Sequence, residues 1–151
     1  MMPGELISGQ YLLDRKLIGT KLSEYIGPDG LAAYALIGNK QNGERKHDEN
    51  LICTYEEAAH LMSRPTFAKM KSRLWAYRMI AVREWGRKKR KPSRYQLINK
   101  WRTLIRMPEK LERIHKLVAE HERVQRLKSN PSQDKWQILI DITSKIRKVI
   151  V

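Results

Sequence analysis

Five consecutive cations, Arg87, Lys88, Lys89, Arg90 and Lys91, stand between Gly86 and Pro92, and Arg94 follows two residues later. Like charges packed this densely repel one another unless a partner neutralises them, so the run calls for a polyanion. A second set lies upstream: Arg64, Thr66, Lys69, Ser72 and Arg73. Lys69 and Arg73 are four residues apart, which puts them on one stripe if the segment is helical. An arginine presents two parallel donors that match the guanine edge, whereas lysine and hydroxyl side chains suit phosphate oxygens. The chemistry these types and spacings offer is recognition, not bond making.

Catalytic constellations are not visible. His47, Asp48 and Glu49 adjoin one another in a polar stretch, where neighbouring side chains rarely converge on one metal. His115 and His121 are six apart and fall on different faces of a helix. No glycine-rich phosphate loop, nucleophile elbow or paired-cysteine motif occurs, and the lone Cys53 excludes an internal disulfide or a multi-cysteine zinc cage. The expectation is a protein that is not an enzyme and takes neither metal nor cofactor.

The 151 residues carry a formal charge of +15, and its distribution says more than its sum. Residues 1–50 hold 6 basic and 7 acidic side chains, residues 51–106 hold 15 and 3, and residues 107–151 hold 10 and 6, giving net charges of −1, +12 and +4. Nucleic acid is the expected partner of the middle segment. A membrane surface ranks lower, because the densest charge falls in a loop marked by Gly and Pro and not on an amphipathic helix. No apolar run approaches the roughly 18 residues of a membrane span, and Met1 to Tyr11 lack the pattern of a secretory signal. A cytoplasmic protein is expected, associated with the nucleoid if prokaryotic.

The elements that must position these side chains are legible in part. Residues 1–27 form a weakly signalled lead-in. Gly27, Pro28 and Asp29 mark a helix start, with Leu31, Tyr34, Ala35 and Gly38 at helical spacing, and residues 39–50 read as an exposed loop. Leu51, Ile52 and Cys53 are a short β-prone run. Thr54 with Glu57 is a capping box, which predicts a helix from Tyr55 with Ala58, Ala59, Leu61 and Met62 facing inward. Ser63 is the next N-cap, and Phe67, Met70, Leu74 and Tyr77 repeat every three or four residues, predicting a helix over 64–77. Two strands follow, one through Ile80, Val82 and Trp85 and one through Tyr95 and Leu97, joined by the basic run GRKKRKPS as a hairpin tip. Trp75, Trp85 and Trp101 read as core or shoulder residues. Pro108 opens a helix to about Lys128, and Asn130 and Pro131 precede a last helix with Trp136, Leu139, Ile140, Ile146 and Ile150 near one face.

Helix, strand, helix, helix, hairpin is the order of a winged helix, and the segment SRPTFAKMKSRLWAYRMI at 63–80 resembles the recognition-helix segment of winged helix-turn-helix DNA-binding proteins of the GntR and MarR sort. Ser63, Arg64, Pro65 and Thr66 match the helix start, and Phe67, Met70, Leu74, Met79 and Ile80 match core positions. Arg78 stands where those families usually have Gly, and Lys71 where an apolar residue is common. The lead-in around Leu17 to Ala35 is similar in layout to winged-helix domains of phage and plasmid replication initiators and replisome organisers. The resemblance implies a mainly α fold with a small antiparallel β-wing. In that fold residues 28–106 form a winged domain and residues 107–151 a helical extension that packs on it or dimerises. It further implies duplex DNA binding in transcription regulation or replication initiation. The helix at 64–77 would enter the major groove with Arg64, Thr66, Lys69, Ser72 and Arg73 outward and Arg73 on a guanine. The wing, with Arg87, Lys88, Lys89, Arg90, Lys91 and Arg94, would lie on the backbone or in the minor groove. An RNA-binding or protein-interaction module on the same scaffold is the alternative.

Overall fold

Capping chemistry sets the first helices of the computed structural model, which describes residues 17–43, 51–84, 94–127 and 133–151. Thr20 opens α1 (Lys21–Gly43): its hydroxyl donates to the Leu17 carbonyl at 2.6 Å and accepts from the Ser23 amide at 3.2 Å. The helix bends at Gly27, which lies in the left-handed region at φ 70°. Only glycine takes that conformation without a Cβ penalty. Pro28 follows at the first position of the second segment, where its missing N–H leaves no bond unmade. The Gly-Pro pair thus starts a helix where the sequence predicts, but that helix runs on to Gly43, past the loop expected from Asn39.

β1 (Leu51–Ile52) leads into α2 (Tyr55–Ala58), whose capping box is formed from both sides. The Glu57 amide donates to Thr54 Oγ1 at 3.2 Å and the Thr54 amide to Glu57 Oε1 at 3.5 Å. α2 ends earlier than its apolar pattern suggests, so Ala58 and Met62 are buried while Ala59 and Leu61 are exposed. α3 (Arg64–Ala76) starts at once on the Ser63 cap, whose Oγ accepts from the Thr66 amide at 3.4 Å. β2 (Ile80–Glu84) and β3 (Arg94–Leu97) pair antiparallel, with Ile80 opposite Leu97 and Val82 opposite Tyr95. A register shift between Val82 and Glu84 adds local twist to the strand pair. β1 adds to β3, so the sheet order is β1-β3-β2. The molecule is mainly α-helical with this small antiparallel sheet. Trp85 and the hairpin tip lie outside the described residues.

A short helix that the sequence pattern does not announce, α4 (Lys100–Ile105), buries Trp101 and Leu104 and turns the chain into α5 (Pro108–Arg126). α6 (Gln133–Arg147) returns along α5. Its buried face is Leu139, Ile142 and Ile146, continued by Val149 just past its end, while Trp136, Ile140 and Ile150, expected on one face with Leu139 and Ile146, are exposed. One apolar core runs from Leu17 and Ile26 through Phe67, Leu74 and Tyr77 to Ile114, Val118 and Ile146. The C-terminal helices therefore complete the same core that seats α3.

Candidate nucleic-acid interface

Phe67, Met70 and Leu74 root α3 in the core, and this fixes the direction of its opposite stripe, because residues three and four apart share a face. Near the start of the helix Arg64 and Pro65 are exposed, the Lys69 side chain is 39% exposed, and Ser72, past the middle, is exposed as well. Arg64 places its guanidinium 4.5 Å from the centre of the Tyr55 ring, an attraction between cation and ring face that holds the arginine against α2. Thr66 is half-buried, and its hydroxyl accepts from Ser63 Oγ at 2.9 Å. Helix cap and hydroxyl are thus paired with each other at the α3 N-terminus. Arg94 is exposed at the first position of β3. Arg87, Lys88, Lys89, Arg90 and Lys91 lie outside the described residues.

Arg73 departs from expectation. In place of facing outward to read a base, it forms a two-pronged pair with Glu122 of α5, Nε donating to Oε1 at 2.5 Å and Nη2 to Oε2 at 3.0 Å. Its remaining nitrogen, Nη1, donates to the Ile26 carbonyl at 3.2 Å, tying α1 into the same knot. The pairing with Glu122, working against the cost of burial, raises the Arg73 pKa further above its already high value. The physical cause is the path of α5 and α6, which cross the second half of α3 and bury Ala76 to 1% exposure. The stripe of α3 is divided: Arg64, Lys69 and Ser72 keep contact with solvent, while Arg73 and Ala76 are turned to protein.

Sequence reasoning missed the groups that hold this arrangement. Beside the Arg73–Glu122 pair, Tyr77 Oη lies 3.2 Å from His115 Nδ1, and Tyr25 stacks on the His115 ring with centroids 3.8 Å apart. Burial, with the nearby Arg73 charge, lowers the His115 pKa, and burial raises that of Tyr77. Lys71 is no plain surface charge. Its Nζ sits 4.4 Å from the Tyr55 ring centre, 5.0 Å from Phe67 and 5.5 Å from Tyr95, and donates to Tyr55 Oη at 3.3 Å. It ties α2, α3 and β3 together, and the cationic form is stabilised by these rings and hydroxyls against the opposing cost of burial. Arg78 reaches across to the end of α6, donating to the carbonyls of Ile146 at 2.6 Å and Val149 at 3.1 Å. The one signal available beforehand was the oddity of type at positions 71 and 78.

Among the described residues, no group of three or more His, Cys, Asp or Glu side chains is placed to hold a metal ion. No described helix is long and apolar enough to cross a membrane. Comparison with protein-family models, with curated proteins and with solved structures finds no match to this chain.

Proposed function

We propose that the chain is a winged-helix protein that binds duplex DNA, acting in transcription regulation or replication initiation. The first half of α3 enters the major groove, and the basic hairpin between β2 and β3 lies on the backbone or in the minor groove. The observation that carries this reading is the exposed, cationic first half of α3, rooted in the core by Phe67 and Met70 and preceded by a tight turn from α2. A helix fits the major groove, and helix-turn-helix proteins read bases with the N-terminal part of the second helix. Arg64 and Lys69, with Ser72 further along the same helix, are the proposed contacts. Arg73 is removed from the reading set, because engaging a base would strip Glu122 of its partner. The hairpin supplies affinity through Arg87, Lys88, Lys89, Arg90, Lys91 and Arg94, a contribution largely indifferent to sequence.

A mobility-shift titration of duplex DNA against structured RNA at two salt concentrations tests the proposal. Tighter binding to duplex at matched salt is expected. With about seven or eight phosphates engaged, the logarithmic salt slope is about −7, and replacing Lys88, Lys89 and Arg90 by Ala flattens it by up to about 3. Tighter binding to RNA would overturn the DNA assignment in favour of the RNA-binding alternative. A palindromic preferred site would indicate a two-fold dimer on the DNA.

A further inference from the structure

Where α5 and α6 cross the second half of α3 they do not close on it completely. They leave a groove with a cavity of about 140 Å3 between the three helices. Its apolar walls are Trp75, Ala76, Val118 and Ile146, of which the last three are at most 8% exposed. The volume is close to that of an engineered apolar cavity that accepts benzene; here the groove is open on one side and most of its lining residues are polar or charged, so a single six-membered ring fits against the apolar wall.

The charge around the groove is unbalanced. Among the described residues, Lys69, Arg73 and Arg147 border it against one carboxylate, that of Glu122. Both oxygens of that carboxylate are held in the Arg73 fork, and Lys69 Nζ reaches it only at 4.0 Å. Arg147 has its guanidinium 5.7 Å from the Trp75 ring centre, at the apolar wall itself. His121, also on the groove, has its pKa lowered by burial and adds no fixed charge at neutral pH. Among the described residues, Lys69 shares Glu122 with Arg73 and Arg147 faces no carboxylate on the groove, so two incompletely neutralised cations flank the apolar wall.

We propose that this groove is a binding site for a small aromatic carboxylate, its ring against Trp75, Val118 and Ile146 and its anion between Lys69 and Arg147. A neutral ring of the same size would fill the space and leave the cations incompletely neutralised. A cationic one would be repelled. Charge-assisted hydrogen bonds in a partly dry site are worth about tenfold or more in affinity. The site shares Lys69 and Ser72 with the proposed DNA-contacting set, but its test reads small-molecule binding without nucleic acid, so the two proposals fail separately.

The test is calorimetric titration of the full chain at 0.15 M salt with benzoate, benzyl alcohol and benzylamine as probes. Benzoate is expected to bind at least tenfold more tightly than benzyl alcohol, and benzylamine not measurably. The variant Lys69→Gln/Arg147→Gln should bring benzoate down to the level of benzyl alcohol. Thr143→Phe, which fills the groove from α6, should abolish binding of both, and Ser72→Phe, which fills it from the exposed side of α3, should do the same if Thr143→Phe unfolds the protein. Equal binding of acid and alcohol, undiminished benzoate binding in the filled variants, or no binding of any probe would each overturn the proposal. Undiminished binding in particular would assign benzoate to the general basic surface.

Discussion

Arg73 is the residue at which an expected reader of DNA becomes a structural element. Its guanidinium and the Glu122 carboxylate are 20% and 14% exposed, both well withdrawn from water. Removing one member of such a pair leaves the other charge desolvated and unpaired, which costs more than the intact pair contributes. Arg73→Ala is therefore expected to lower unfolding stability by about 2–3 kcal/mol, a figure discounted for the remaining solvent contact. It should leave the relative affinity for preferred over random duplexes unchanged. Arg64→Ala and Lys69→Ala should do the reverse, reducing preference with little loss of stability. Denaturant titration and competitive mobility shifts on all three variants separate the effects, and a loss of preference in Arg73→Ala at unchanged stability would contradict the assignment. The residue types of 64–73 were legible in the sequence, and so was the stripe they share. What was not legible is that Glu122, 49 positions away, owns one end of that stripe. On α5 the same residue had an equally good local partner in view, Arg126 at i+4, and only the packing of α5 on α3 decides between them.

Between elements, the turn from α3 to β2 is the place where local chemistry and long-range packing conflict. Arg78 sits there at φ 63°, a left-handed conformation in which a side chain costs roughly 1–2 kcal/mol. It is held by donating to three carbonyls: Ala76 in its own turn, and Ile146 and Val149 at the end of α6. A cation at a helix C-terminus also complements the helix dipole. Burial in this setting lowers the Arg78 pKa, yet an arginine stays charged throughout the accessible range. Arg78→Ala keeps the strained backbone and loses all three bonds. Arg78→Gly loses the same bonds and relieves the strain. Both variants should be less stable than the parent, with Gly the milder by about 1 kcal/mol, as read from urea unfolding midpoints. Equal losses would mean that the turn relaxes and no strain is stored. The contrast marks how elements can be read ahead of structure. Thr54 with Glu57, Ser63 with Thr66, and Gly27 with Pro28 act within four residues, so the starts of α2, of α3 and of the second segment of α1 were visible as sequence. The end of α1 was not, because Asn39 to Gly43 offers no apolar position to carry a period. α4 was hidden as well, being too short to show one.

At the scale of the whole molecule, residues 28–106 and the C-terminal helices share one core. Ile114 and Val118 of α5 belong to the same buried cluster as Phe67, Leu74 and Tyr77, and Ile146 of α6 and Val149 just beyond it extend it. The Arg73–Glu122 pair, the Tyr77–His115 contact and the Arg78 bonds to α6 cross the same boundary. A unit that folded separately would meet the rest through a smaller and more polar interface. The sequence allowed both packing and dimerisation for residues 107–151, because an amphipathic stripe specifies that it is covered and not by what. The buried set Leu139, Ile142, Ile146 and Val149 is used for packing within the chain. One cooperative transition should therefore describe unfolding of the full chain, with tryptophan fluorescence and far-ultraviolet circular dichroism tracing coincident urea curves. Trp75 in α3 and Trp101 in α4, the latter 1% exposed, lie before the boundary and Trp136 of α6 lies beyond it, so fluorescence samples both sides. Two separated transitions would mean that α5 and α6 melt away while α3 stays seated. The division of the α3 stripe would then be a feature of one conformational state, with Arg73 free to reach DNA in the other.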